Sequence, residues 1–251
     1  MLNQATIDKM QAMKMSAMAE AFHRQIESGQ WADLSFEERL GMLVDTEWTS
    51  REQKKLDRRL KTARLRYPAS LEDVDYTANR GLDRQAVLAL ETCGWIKDHH
   101  NLILTGTTGT GKSYIACAFA ERACRSGYGA AYYRTPRLLQ ELHVARGDGS
   151  YNRLMARLAR VDLLALDDWL INPLKDQERR DLLEVIEDRN EKGSTLVTTQ
   201  LPVKAWHEAI GDPTLADAIC DRLIHRAHRI DLKGPSMRQA KSPVKKGAKA
   251  A

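Results

Sequence analysis

Eight residues near the middle of the chain, Gly106 to Ser113, have the sequence GTTGTGKS. They fit the pattern GxxxxGK[ST], in which glycines let the backbone curl tightly and point successive N–H groups at phosphate oxygens. The apolar run 101–106 precedes this loop, and the helix-forming run 113–126 follows it with the positive end of its dipole. The pattern therefore predicts a site for the phosphates of a nucleotide.

Each part of this loop has an expected task. The ammonium of Lys112 should reach the β and γ phosphates, and the hydroxyl of Ser113 should complete the coordination of Mg²⁺. The predicted nucleotide-binding residues are Gly106, Thr107, Thr108, Gly109, Thr110, Gly111, Lys112, Ser113 and Tyr114. The expected ligands are ATP and Mg²⁺.

Two acids, Asp167 and Asp168, end a second apolar run. Asp167 should hold Mg²⁺ through its water shell, and Asp168 should orient or deprotonate the attacking water. Two acids can also simply end a strand. Their combination with Lys112 favours chemistry, because an open parallel sheet brings its binding motifs to the carboxyl ends of its strands. Hydrolysis of ATP is the leading reaction.

Strand-like and helix-like segments alternate around these motifs, and helical spacing in 83–90 precedes the first strand. The predicted strands are 101–106, 130–134, 162–167, 194–199 and 228–232, and the main helices between them are 113–126 and 178–192. This alternation predicts an α/β domain with a parallel sheet. We assign that domain to residues 68–238.

Residues 1–67 are predicted to form a separate, all-helical domain. Thr6 resembles an N-cap, after which apolar residues recur at helical spacing until Gly29. Ser35–Glu38 fits a capping box and opens a long helical stretch that stops before Pro68. At the other end of the chain, the basic, low-complexity tail 239–251 is predicted to be disordered.

Composition favours a cytoplasmic protein. No run reaches the roughly 18 consecutive apolar residues that span a bilayer, and the N-terminus has no signal-peptide block. The four cysteines lack CxxC spacing, so Cys117 and Cys124 are expected to be buried thiols, and the histidines are not spaced as zinc ligands. Trp95, Trp169 and Trp206 are expected to be packing residues.

Positive charge is concentrated in two segments. Residues 51–66 carry eight Lys or Arg against two acids, and residues 233–251 carry six and no acid. Because the formal net charge is only +5, the rest of the chain is net negative. Such clustering is typical of contact with a polyanion, although a solvated helix face and a solubilising tail would show the same pattern.

Arg222, Arg226 and Arg229 lie between a helical segment and the last predicted strand. An arginine here could cap a local helix. It could also be an arginine finger that neutralises γ-phosphate charge in a neighbouring subunit. The residues alone leave both interpretations open.

These motifs together resemble the AAA+ ATPases, and within them the bacterial helicase loaders (DnaC-like) and the IstB-like transposition helpers. The resemblance covers about 75–238 and rests on GTTGTGKS, DLLALDD, STLVTTQLPVKAW, DRLIHRAHRIDLKG and GPSMR. The N-terminal KMQAMKMSAMAEAFHRQ and WADLSFEERLGMLVDTEW resemble the helical front domain of the IstB-like helpers. The resemblance implies a P-loop AAA+ domain with helices flanking the parallel sheet, behind a small helical domain.

The resemblance also implies roles for single residues. Gln200 falls at the sensor 1 position, Arg222 at the trans-acting arginine finger with Arg226 as the reserve candidate, and Arg238 at sensor 2. Many AAA+ proteins have Glu where this chain has Asp168, and sensor 1 is commonly Asn. These two departures imply slow, switch-like hydrolysis.

In the loader clade, the segment after the second strand faces a nucleic-acid channel. The candidate DNA-binding residues are Arg134, Arg137, Arg146, Arg153 and Arg157 there, and Lys54, Lys55 and Arg58 in the first basic segment. Contacts of cations with phosphates give affinity without sequence preference.

The first expected function is that of an ATP-dependent transposition helper. Copies of the chain would assemble on duplex DNA with ATP at their interfaces, recruit and stimulate the transposase, and come apart after hydrolysis. The alternatives are a helicase loader that acts on single strands and a monomeric P-loop kinase, which would need no arginine in trans. The expected role of domain 1–67 is partner docking, oligomerisation or DNA contact. Its resemblance to the front domain of the IstB-like helpers favours the first function.

Overall fold

The computed structural model describes residues 2–28, 31, 33–78 and 80–237. The chain divides into two units, Met1–Arg58 and Arg59–Ala251. This division falls inside a long helix, α3 (Phe36–Ala63), whereas the sequence placed the boundary after residue 67. The tail 239–251 lies outside the described residues.

The first unit begins with two helices, α1 (Leu2–Ala12) and α2 (Ser16–Glu27), in place of one. Thr6 lies inside α1, so its prediction as an N-cap was wrong. The residues before it contain no helix breaker, and the helix already begins at Leu2. Lys14 separates the two helices with a φ of 59°, a left-handed conformation that no glycine or proline announces in the sequence.

A small apolar core joins α2 to α3 through Met18 and Leu43. The backbone N–H of Met18 donates to Oε2 of the buried Glu47 at 3.0 Å. The predicted capping box at the start of α3 is confirmed. The N–H of Ser35 donates to Glu38 Oε2 at 2.8 Å, and the N–H of Glu38 donates to Ser35 Oγ at 3.2 Å.

A five-stranded parallel sheet forms the centre of the second unit. Its strands are β1 (Asn101–Gly106), β2 (Ala130–Arg134), β3 (Leu163–Asp167), β4 (Ser194–Thr199) and β5 (Ala227–Leu232). Their order is β2-β3-β4-β1-β5. The predicted α/β class is therefore confirmed, and each predicted strand agrees with the observed one to within a residue.

Eight helices of the described chain belong to the second unit. They are α4 (Arg84–Glu91), α5 (Gly94–Lys97), α6 (Lys112–Arg125), α7 (Thr135–Asp148), α8 (Tyr151–Arg160), α9 (Asp176–Arg189), α10 (Trp206–Ile210) and α11 (Pro213–Ile224), with a 3₁₀ turn at Val203–Ala205. The predicted helix 178–192 begins earlier because the N–H of Lys175 bonds Glu178 Oε2 at 2.7 Å. None of the helices described has the length and apolar content to cross a bilayer.

Strand register brings the predicted functional residues to one edge of the sheet. Thr105 of β1 pairs with Thr199 of β4. Arg134, at the end of β2, pairs with Asp167, at the end of β3. Because all the strands are parallel, the loops after β1, β3 and β4 leave the sheet at this edge.

Buried aromatic and thiol side chains fill the core around the sheet. Trp95, Trp169 and Trp206 are all buried, which confirms their prediction as packing residues. The Cys117 and Cys124 thiols are buried on α6 as predicted, and burial raises the pKa of Cys124 to about 11. These thiols are therefore structural.

Candidate nucleotide-binding site

The loop between β1 and α6 has a backbone that requires glycine, as Gly106 and Gly111 show. Gly106 and Gly111 have φ values of 144° and 98°. A Cβ on Gly106 would lie 2.3 Å from the carbonyl oxygen of Leu232, and one on Gly111 would lie 2.6 Å from Arg80 Nη1. The loop is therefore held in a tight curl at the N-terminus of α6, a geometry suited to binding phosphate.

Lys112, the first residue of α6, extends its side chain back over this loop. Its Nζ donates to the carbonyl oxygens of Gly106 at 2.7 Å and Thr107 at 2.9 Å. The residue is only 9% exposed. An ammonium group in this position lies within reach of phosphate oxygens bound by the loop.

Ser113 and Asp167 form the pair predicted to hold a divalent ion. Ser113 Oγ donates to Asp167 Oδ1 at 2.8 Å, and Asp167 is 1% exposed. A hydroxyl and a carboxylate are the hard oxygen ligands that Mg²⁺ prefers. The donor set therefore fits Mg²⁺.

Two further hydroxyl groups, those of Thr198 and Tyr132, also donate to the carboxylate of Asp167. Burial, together with the hydrogen bond to Asp167, raises the pKa of Tyr132. Its hydroxyl thus stays protonated and remains a donor. Neither residue was assigned to the site from the sequence.

Asp168 follows in a left-handed conformation, with a φ of 59°. Asp tolerates this region better than most residues, because its short polar side chain can bond locally. Its Oδ2 accepts a hydrogen bond from Nε of Arg134 at 2.8 Å. The predicted general base is thus paired with a residue that the sequence assigned to DNA.

Gln200, just past β4, contacts the phosphate-binding loop directly. Its Oε1 accepts a hydrogen bond from Thr108 Oγ1 at 2.8 Å. The predicted sensor residue is therefore next to the predicted phosphate-binding loop, Gly106–Ser113, which we call the cradle.

These groups surround a cavity of about 450 Å³. Its lining is Tyr67, Asp73, Asp75, Arg80, Thr108, Gly109, Gly111, Lys112, Ser113, Tyr114, Asp168, Gln200 and Met237. The volume is in the range of cavities that hold small ligands. Sequence reasoning gave no role to five of these residues, which reach the cavity from the irregular segment after α3 or from beyond β5.

Arg80 is the most buried of these five cavity residues, with 4% exposure. Its guanidinium donates to the carbonyl oxygens of Thr110 at 3.1 Å and Asp75 at 2.7 Å, and burial lowers its pKa. Its Nε is buried without a hydrogen-bond partner in the described chain.

The chain matches the family described as IstB-like ATP binding protein over residues 8–244. It belongs to the IstB-like ATP-binding protein family. An insertion sequence ATP-binding protein of Sinorhizobium fredii is 51% identical over 95% of this chain and 98% of its own length. The ATP-binding protein of insertion sequence IS1162 from Pseudomonas fluorescens is 46% identical over 80% and 88%.

Solved structures similar to this IstB-like chain share its P-loop AAA+ fold. DnaI superposes with a TM-score of 0.55 at 22% identity, over 66% of this chain and 91% of DnaI. The DnaC helicase loader superposes with a TM-score of 0.52 at 18% identity, over 70% and 99%. At these identities the likeness concerns the fold alone, and it confirms the predicted fold class.

The two arginine-finger candidates of this IstB-like protein lie on the opposite side of the domain, near the amino ends of the strands. Nδ2 of Asn101, the first residue of β1, donates to the carbonyl oxygen of Arg222 at 3.0 Å. Arg222 Nε lies 2.5 Å from Glu187 Oε2, and Arg226 Nη2 lies 3.1 Å from Glu191 Oε1. The phosphate loop follows the carboxyl end of β1, so neither arginine is placed to reach its own cradle.

Three of the arginines predicted to bind DNA surround one groove on α7 and α8. Arg137, Arg153 and Arg157 line this groove, which has a volume of about 570 Å³. Arg157 Nη2 also donates to the hydroxyl of Tyr133 at 2.7 Å. The groove thus brings together arginines from two consecutive helices.

Arg146 is engaged elsewhere. Its Nη2 lies 2.5 Å from Asp181 Oδ1, and its guanidinium lies 3.8 Å from the ring centre of Tyr151. The remaining candidates, Lys54, Lys55 and Arg58, lie on α3 in the first unit. Arg238, the predicted sensor 2 residue, lies outside the described residues.

Proposed function

We propose that this protein is a Mg²⁺-dependent ATPase that assists the transposition of an insertion sequence. The observation that carries the proposal is the convergence of Lys112, Ser113 and the acids Asp167 and Asp168 at one sheet edge, with Ser113 Oγ 2.8 Å from Asp167 Oδ1. Support for the biological role comes from relatives named as insertion sequence ATP-binding proteins.

The chain has the groups that ATP hydrolysis requires. Lys112 would exchange loop carbonyls for phosphate oxygens, while the loop N–H groups bind the remaining oxygens. Mg²⁺, held by Ser113 and Asp167, supplies positive charge beside the phosphates when bound. Asp168 would accept a proton from the attacking water, and Gln200 would orient that water.

ATP is proposed to lie at the interface between two copies of the chain. Arg222 lies at the sheet edge away from its own cradle, so it would complete the site of a neighbouring copy, with Arg226 as the reserve candidate. A contact with the γ-phosphate favours the assembled state, and hydrolysis removes that contact. ATP would thus switch assembly on, and slow hydrolysis would switch it off.

Duplex DNA and the cognate transposase are the proposed partners of this assembly. The groove lined by Arg137, Arg153 and Arg157 and the basic segment 51–66 offer cations to DNA phosphates, which would give binding without sequence preference. The assembly would then recruit and stimulate the transposase.

A helicase loader is the second candidate, because the second unit shares its fold with the DnaC helicase loader. The named relatives favour the transposition helper. Tighter binding to duplex than to single-stranded DNA would support the helper, and the reverse preference would support the loader. A monomeric kinase offers no role for Arg222 at the far edge of the sheet.

ATP-dependent assembly on DNA is expected to require Lys112. The substitution Lys112→Ala removes the ammonium group from the cradle, so the rise in light scattering on adding ATP to protein and duplex DNA should be lost. Lys204→Ala removes an exposed lysine on the 3₁₀ turn and should assemble like the wild type. Undiminished assembly of Lys112→Ala, seen by light scattering and electron microscopy, would contradict the proposal.

A further inference from the structure

A positive charge lies beside the carboxylate that is proposed to hold Mg²⁺. Arg66 Nη1 is 3.6 Å from Asp167 Oδ2, and the Arg66 side chain is 37% exposed. In the sequence Arg66 is only the last member of the basic segment 51–66, and no motif connects it with the phosphate loop. It reaches Asp167 because the chain turns back toward the sheet after α3 ends at Ala63.

The two oxygens of Asp167 have different partners. Oδ1 accepts hydrogen bonds from Ser113 and Thr198. Oδ2 accepts one from Tyr132 and faces Arg66. The metal side of the carboxylate is therefore the Ser113 side, and the arginine approaches the other oxygen.

Arg66 is held in this position by more than the acid. Its guanidinium carbon lies 5.2 Å from the ring centre of Tyr67, a cation–π distance. The ring of Tyr67 lies 6.4 Å from that of Tyr114, and both tyrosines line the cavity. The charge of Arg66 thus lies next to a tyrosine of the cavity wall.

A fixed cation this close to a buried carboxylate lowers the attraction of that carboxylate for a second cation. Asp167 is 1% exposed, so water screens the interaction poorly. Before a metal ion arrives, the same cation offsets a buried negative charge that would otherwise be costly.

We propose that Arg66 sets the Mg²⁺ affinity of the nucleotide site. It acts through Asp167, because its positive charge repels the divalent ion that this carboxylate would hold. This inference rests on the proposed function, because it needs Asp167 to hold the ion. It predicts that removal of the charge tightens the binding of Mg²⁺. A residue that only stabilised this region of the fold would do the opposite or nothing.

The test uses the full chain and a fluorescent, non-hydrolysable ATP analogue at fixed concentration, with Mg²⁺ as the titrant. Arg66→Met, which preserves length and removes the charge, should lower the Mg²⁺ concentration for half-maximal binding by about three- to tenfold. Arg66→Gln should shift it in the same direction. Arg66→Lys, which keeps the charge, should stay closer to the wild type than either.

Two controls identify where the effect acts. In EDTA, the affinity of Arg66→Met for the analogue should equal that of the wild type, because the effect acts through the ion. Asp167→Asn should remove the Mg²⁺ dependence of binding. Circular dichroism checks that each variant is folded.

Three results would overturn the inference. They are an unchanged or raised Mg²⁺ requirement in both uncharged variants, an equal shift in Arg66→Lys, and weaker binding of Arg66→Met in EDTA, which would mean that Arg66 contacts the nucleotide itself. A wild-type protein that binds no analogue would fail earlier and would overturn the proposed function as well. The two failures are therefore distinguishable.

Discussion

At the scale of single residues, the two acids at the end of β3 have different surroundings, which suit their two proposed tasks. Asp167 is buried and receives three hydroxyl hydrogen bonds, which suits a fixed metal ligand. Asp168 is partly exposed, has a strained backbone and is paired with Arg134 at 2.8 Å. The guanidinium of Arg134 thus occupies one of the two Asp168 oxygens that could accept a proton from the attacking water.

Release of Asp168 should therefore raise basal turnover. Arg134→Ala removes the partner of the proposed base, and the steady-state ATPase rate without DNA should rise about threefold or more. Arg180→Ala, at an exposed arginine of α9, should leave that rate unchanged. A lower rate in Arg134→Ala would mean that Arg134 assists the reaction and does not restrain it.

The residues that sequence could identify are those whose chemistry lies in a contiguous motif. Lys112, Ser113 and Asp167 were found in this way, because a phosphate loop and a strand-ending acid have fixed local spacing. Arg66 and Arg80 were missed, because they reach the site only through the path of the chain after α3. Arg134 was predicted only as a DNA-binding cation, and its hydrogen bond with Asp168 depends on the register that sets the end of β2 beside the end of β3.

At the scale of elements, a buried arginine ties α9 to its neighbours. Arg189 is 1% exposed. It donates to the carbonyl oxygens of Leu158, at 2.6 Å, and Val161, at 2.8 Å, and also to that of Ser194. The ends of α8 and α9 and the start of β4 therefore share one set of hydrogen bonds. Burial lowers the pKa of Arg189 to about 10, so it remains charged at neutral pH.

The loss of this arginine should destabilise the second unit. Arg189→Met keeps the length of the side chain but leaves several buried carbonyl oxygens without donors, so the free energy of unfolding should fall by about 3 kcal/mol. Urea denaturation followed by circular dichroism measures this change. Arg180→Met, on the exposed face of the same helix, should change stability by less than about 0.5 kcal/mol. Equal stability of Arg189→Met and the wild type would refute the role of this clamp.

Helices and strands with a clear sequence pattern were predictable. A break between two helices that depends on one backbone angle was not. Each of the five strands was located as a short segment that alternates with helical ones, and the capping box located the start of α3. The break between α1 and α2 was missed because Lys14 adopts a left-handed conformation that its residue type does not favour.

At the scale of the whole molecule, the sheet separates two halves of one proposed site. The cradle of Lys112 follows the carboxyl ends of the strands, whereas Arg222 and Arg226 lie near their amino ends. A single copy of the chain cannot bring these groups together, but two copies in a head-to-tail arrangement can. We propose that an arginine of one copy completes the ATP site of the next.

Mixing two inactive variants tests whether two copies of the chain share one ATP site. Lys112→Ala lacks a working cradle and Arg222→Ala lacks the proposed finger, so each alone should have little ATPase activity on duplex DNA. In a mixture, the intact finger of one variant meets the intact cradle of the other, and the ATPase rate should exceed the sum of the separate rates. A second mixture with Arg226→Ala tests the reserve candidate. If neither mixture exceeds the sum of its parts, the shared site is contradicted.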